Sequence, residues 1–174
     1  MSKIKSRDDY IPLSNSDRHN CFGCSQSNSS GLKMKFYTNK EVDFVVSWLS
    51  LPDQFCGWGN IVHGGIISTM LDEAMGWGAL VILRKLVLSK TISVDFTSPV
   101  LTGTEIRVEG SVQKINSERE AILQGCIYSN DNICARSMSV ASLFTLEYIR
   151  KMGVLDEEML GDLERLINQT SQPR

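Results

Sequence analysis

Asn60-Ile-Val-His-Gly-Gly-Ile-Ile-Ser-Thr-Met-Leu-Asp-Glu-Ala-Met-Gly-Trp-Gly-Ala79 is the stretch whose reading decides the fold. It opens with turn formers and His63-Gly64-Gly65, then continues without proline to Arg84. The spacing predicts one helix over 64–84. Ile66, Met70, Ala74, Trp77 and Val81 recur at helical intervals on one side, and Ile67, Leu71, Gly78 and Ile82 on another. A helix that is apolar nearly all round is a buried helix. Ser68, Thr69, Asp72 and Glu73 are its only strongly polar side chains before Arg84. Two carboxylates argue against a membrane span, so no membrane insertion is expected. A buried carboxylate is costly and needs a partner or a purpose.

On the N-terminal side, residues 1–20 are polar and read as a surface extension. Ser25–Gly31 is a loop by composition. Leu32–Tyr37 alternates apolar and polar residues and reads as a strand, with a second strand over Val42–Leu49, the two forming a hairpin. Residues 50–62 form a loop holding Phe55, Trp58 and two glycines. On the C-terminal side the period changes to two. Strands are predicted over 87–96, 105–115, 120–129 and 133–146, followed by an amphipathic helix over 156–168 and a tail. Two strands, one buried helix and four long strands predict an α+β fold in which a curved antiparallel sheet wraps one long helix. Edge strands and the outer sheet face then need covering, and dimerisation is the simplest cover.

The chain has 174 residues, 42% apolar and 22% charged, with a net charge of −2. This suits one domain with a sizeable core. It gives no electrostatic case for nucleic acid. The N-terminus lacks an apolar signal core, so a cytoplasmic location is expected. The five cysteines are Cys21, Cys24, Cys56, Cys126 and Cys134. Their number and spacing do not make a disulfide framework. Cys21-Phe-Gly-Cys24 is a lone CxxC with His19 nearby. Without a second pair it reads as a turn with small semi-buried thiols, and no metal or cofactor is expected. Cys126 and Cys134 read as core residues.

His63-Gly64-Gly65 opening an apolar helix, with Asp72 nine residues after the histidine, resembles the hotdog-fold acyl-CoA thioesterases of the phenylacetate-pathway type (the PaaI-like thioesterase superfamily). The strand Ser89-Lys-Thr-Ile-Ser-Val-Asp-Phe-Thr-Ser-Pro99 is similar to theirs. So is the entry segment Asn20-Cys21-Phe-Gly-Cys24 followed by Gly31-Leu32. The resemblance spans roughly residues 19–146. It implies an N-terminal extension over 1–18, a hotdog domain over 19–146 and an added C-terminal helical segment over 147–174. It also implies a homodimer, and leaves open whether two such dimers pair.

Thioester hydrolysis passes through an oxyanion and needs N–H donors on one side of the carbonyl and a base or nucleophile on the other. Gly64 and Gly65 sit at a helix N-terminus, where N–H groups and the dipole favour negative charge. Asp72 lies roughly 12 Å further along the axis. One helix therefore cannot supply both groups to one carbonyl, whereas a two-fold dimer can. By resemblance, the Gly64 amide polarises the carbonyl, Asp72 acts as general base or nucleophile, and Ser89 holds the water. His63 matches the motif histidine and shapes the turn. Many relatives carry Asn or Gln six residues before the histidine. Gly57 stands there in this chain, and Asn60 is the candidate substitute. Trp58 and Trp77 read as packing residues, with Trp58 also a candidate lining for the acyl pocket. Glu73, about 100° round the helix from Asp72, reads as a salt-bridge or solvent residue. Two other functions fit the same resemblance: a non-catalytic acyl-CoA-binding module, and an acyl thioester hydratase or dehydratase, which would need a further catalytic histidine.

Overall fold

The computed structural model describes residues 7–14, 16 and 19–170. The polar residues 1–6 and the end of the tail, 171–174, lie outside them. Seven strands form one antiparallel sheet: β1 (Ile11–Leu13), β2 (Phe36–Thr38), β3 (Phe44–Ser50), β4 (Leu86–Phe96), β5 (Glu105–Ser117), β6 (Glu120–Ser129) and β7 (Asn132–Phe144). Their spatial order is β1-β2-β3-β5-β6-β7-β4. The predicted central helix is α1 (Gly64–Leu83), and two short helices follow the sheet, α2 (Leu146–Met152) and α3 (Glu157–Gln169). This is the α+β hotdog arrangement expected from the sequence.

The sheet curves round α1. Met70, Leu71, Ala74, Met75 and Ala79 are fully buried against Val45, Val108, Leu123 and Ile127. Helix and sheet touch at backbone distance where α1 crosses β5. A Cβ on Gly110 would lie 2.1 Å from the Ala74 carbonyl oxygen, and one on Gly78 would lie 3.0 Å from the Gly110 carbonyl oxygen. Glycine at both positions is what allows the sheet to close this tightly.

Three local readings change. The predicted strand over 32–37 begins only at Phe36. Leu32 and Met34 donate their N–H groups to Phe22 O (2.8 Å) and Gly23 O (2.9 Å), so this segment pairs with the CxxC turn and not with the sheet. Lys33, at φ +54°, also breaks the extended run. The last strand stops at Phe144 because Thr145 caps α2, its Oγ1 accepting from Tyr148 N at 3.2 Å. The N-terminal segment is not merely surface chain, since Ile11–Leu13 pairs antiparallel with β2. Tyr10 of the same segment packs edge-on against Trp48, with ring centroids 5.2 Å apart.

The outer sheet face needs less cover than expected. On β5 and β6 it carries the cross-strand pairs Arg107–Tyr128, Glu109–Cys126 and Ser111–Gln124, mostly polar. The unpaired edge of β4 differs. Leu88 (66% exposed), Ile92 and Phe96 (58%) stand open along it.

Candidate active site

α1 presents its two candidate groups at two separate cavities. At its N-terminus His63 caps the helix, its Nδ1 accepting from Gly65 N at 2.9 Å. That bond occupies the Gly65 amide. The Gly64 N–H, at the first helical position, has no intrahelical acceptor. Gly64 faces a cavity of about 390 Å³ lined by Val62, Ile67, Phe96, Pro99 and Val100. A Cβ at Gly64 would be 3.6 Å from the Phe96 ring, an ordinary contact. The small residue thus leaves the amide approachable without being required by packing.

Asp72 lines the second cavity, of about 450 Å³. Ser89 Oγ donates to Asp72 Oδ1 at 2.6 Å. The register of β4 against β7 shifts between Ser89 and Thr91. The extra residue, Lys90, lets Val87 and Ser89 before the bulge, and Val94 after it, all face α1. The sequence placed Asp72 on a buried helix, but in the single chain its side chain is exposed. α1 is open here because β4 is the last strand of the sheet. One side of this cavity is apolar, with Trp77 and Leu80 from α1 and Met159, Leu163 and Leu166 from α3, and the other is polar, with Glu73 and the CxxC turn. The C-terminal segment, outside the resemblance, therefore closes the pocket beside Asp72. Its amphipathic pattern was legible in the sequence, but what it packs on was not.

The other candidates separate. Trp58 is 89% exposed, so it does not pack within the subunit, and it lines neither cavity. Trp77 is buried and stacks on Phe36 at 4.8 Å. Asn60 is exposed and fixes its turn through its carbonyl, which accepts from Thr102 N at 2.9 Å. Gly57 lies against the His63 ring, where a Cβ would be 3.4 Å from Cδ2.

Glu73 is not a solvent residue. It is half-buried beneath the CxxC turn, with both carboxylate oxygens 3.6 Å from Cys21 Sγ and Oε1 accepting from Trp77 Nε1 at 3.2 Å. Burial pushes its carboxyl up to about 7. The hydrogen bond from the Cys24 thiol lowers Cys21 to about 5, while Cys24, which keeps the shared proton, is pushed up. The ligand atoms of His19, Cys21 and Cys24 lie within 4.8 Å of one another. The sequence reading expected no metal at this CxxC, with His19 as the one further candidate ligand beside it; the fold adds Glu73.

Comparison with known proteins agrees with this architecture. The family model for the thioesterase superfamily matches residues 59–119, from the turn before α1 into the hairpin after β5. An uncharacterized protein of Schizosaccharomyces pombe is 25% identical over 124 residues, 68% of this chain and 71% of that protein. Acyl-coenzyme A thioesterase THEM4 of Xenopus laevis is 27% identical over 88 residues, 50% of this chain and only 38% of that protein. The crystal structure of zebrafish thioesterase superfamily member 2 shares the fold, with a TM-score of 0.60 at 17% identity over 67% of this chain and 89% of that chain. The chain thus has the hotdog fold, and the match to the thioesterase-superfamily model covers its central helix and the two strands that follow.

Proposed function

We propose that this protein is a cytoplasmic, homodimeric acyl-CoA thioesterase of the phenylacetate-pathway type, with each site built across the dimer interface. The carrying observation is the 2.6 Å bond from Ser89 to Asp72 at the mouth of a pocket with one apolar side. Gly64, the complementary donor, sits at a different cavity of the same chain. The open apolar edge of β4 is the natural dimer seam. A second copy pairing there would cover Leu88, Ile92 and Phe96 and bring its Gly64 toward Asp72 of the first.

In this site the acyl group enters the pocket between α1 and α3. The partner's Gly64 N–H holds the carbonyl oxygen. Asp72, oriented by Ser89, takes a proton from water as the water oxygen bonds to the carbonyl carbon. The oxyanion is stabilised by the amide and by the helix dipole. Its collapse breaks the C–S bond, and the CoA thiolate leaves with the proton.

Thiol release from a panel of aryl, short, medium and long acyl-CoAs tests the reaction, and absence of turnover with every member would overturn it. The composite site has its own test. Mixing inactive Asp72→Asn with inactive Gly64→Val should restore about a quarter of wild-type activity, since half of the dimers are mixed and each has one intact site. No recovery after verified subunit exchange would sink the shared site. Gly57, where a carbonyl-binding Asn or Gln is usual, favours one second reading, an acyl-CoA-binding module without turnover. Tight acyl-CoA binding with no thiol release would establish it.

A further inference from the structure

We propose that His19, Cys21, Cys24 and Glu73 form a tetrahedral metal site of the zinc class that ties the N-terminal turn to α1 beside Asp72. Two thiolates, an imidazole and a carboxylate suit zinc better than hard cations. The distances are close to what coordination requires. Zinc bonds of about 2.3 Å to sulfur and about 2.1 Å to oxygen give a tetrahedral S···O edge of about 3.6 Å. Both Glu73 oxygens lie 3.6 Å from Cys21 Sγ. The ligand atoms of His19, Cys21 and Cys24 lie within 4.8 Å of one another, so a contraction of about 1 Å closes those three, and Glu73, which reaches them through Cys21, must move toward the other two to complete the set.

The surroundings resemble the outer shell of a metal centre. Gly23 N–H donates to Cys21 Sγ at 3.3 Å, as backbone amides do to a bound thiolate. Trp77 Nε1–H fixes the Glu73 carboxylate at 3.2 Å. Ser25 Oγ donates to the His19 carbonyl at 2.6 Å and sets the backbone of the first ligand. Cys21 N–H donates to His19 Nδ1 at 3.2 Å, a bond that coordination through the same nitrogen would replace. A Cβ on Gly23 would fall 2.5 Å from the Glu73 carboxylate, so a larger residue there would push that side chain out of its place under the turn. Four protein ligands make a closed, structural site. Its ligands line the same cavity as Asp72, so the metal would hold one wall of the acyl pocket in place.

The test uses full-length protein purified without a metal-affinity tag, reduced, stripped with chelator and titrated with Co²⁺. The expected result is one equivalent bound, with a thiolate-to-cobalt charge-transfer band and intense tetrahedral d–d bands. One equivalent of Zn²⁺ should abolish both and raise the melting temperature. Glu73→Gln should keep the charge-transfer band and weaken Co²⁺ binding at least tenfold. Cys21→Ser combined with Cys24→Ser should lose the band. A reduced wild type with no charge-transfer band would overturn the site even if the variants do not fold. A band persisting without Cys21 and Cys24 would overturn it as well, since it would belong to another thiol such as the exposed Cys56. Every readout is spectroscopic or thermal, so the result stands apart from whether acyl-CoA is hydrolysed.

Discussion

The two working regions of α1 are built on opposite principles. At its N-terminus the useful group is backbone: the Gly64 amide stands unpaired, while His63 satisfies the next donor at 2.9 Å. Two turns further on the useful groups are side chains, Asp72 held by Ser89 and Glu73 held under the CxxC turn. The first region needs no partner residue to be formed, but it carries no base. The second carries two carboxylates but no donor for an oxyanion. One helix makes two complementary half-sites, and only a second copy can join them. Substitutions in the middle of the helix should therefore remove the base, those at Gly64 should hinder access to the oxyanion donor, and loss of the His63 cap should act mainly on helix stability.

The largest effect is expected at Asp72. Asp72→Asn keeps shape and removes the base or nucleophile, and kcat for acyl-CoA hydrolysis should fall on the order of 10²-fold or more with KM nearly unchanged. Steady-state kinetics on a variant with a native circular dichroism spectrum and melt checks this. Near-normal kcat would end the assignment of the chemistry to this half.

Ser89→Ala removes one hydrogen bond to a carboxylate that is exposed in the single chain. A loss of about tenfold in kcat is expected, at the lower end for a bond to a charged group. An effect as large as that of Asp72→Asn would give Ser89 a direct chemical role.

At the helix start, His63→Ala deletes the cap and should lower unfolding stability by about 1 kcal/mol or less, measured by denaturant titration. Gly64→Ala should be the mildest for stability. Its methyl would meet Phe96 at 3.6 Å, so the melting temperature should hold while kcat/KM falls as the substrate is kept from the amide. A collapse of the fold in Gly64→Ala would make this glycine a packing residue like Gly110 and blur the contrast between the two regions.

Much of this was legible from periodicity. The helix over 64–84 ends one residue earlier, at Leu83, and the four long strands after it stand close to their predicted bounds. The resemblance gave Ser89 the water and Asp72 the proton, and the structure shows Ser89 donating to Asp72 itself at 2.6 Å. Short elements escaped. β1 is three residues long, and its pairing with β2 depends on a partner far away in sequence. α2 is seven residues long, too short to show a helical period. The strand predicted from Leu32 failed because its donors turn to Phe22 and Gly23, an arrangement that alternation of side chains does not encode.

Glu73 marks the boundary between the two kinds of information. The sequence by itself determined that α1 is a helix, that the strands pack round it, and that His63, Gly64 and Asp72 stand at fixed steps along its axis, because 3.6-residue and 2-residue periods are local properties. Only the tertiary structure decided what faces each step. It left Asp72 open at the sheet edge, closed its pocket with α3, and brought Glu73 under a turn that begins 52 residues earlier, against Cys21. Those contacts depend on how a distant segment is held across the mouth of the sheet, and no spacing along the chain carries that information.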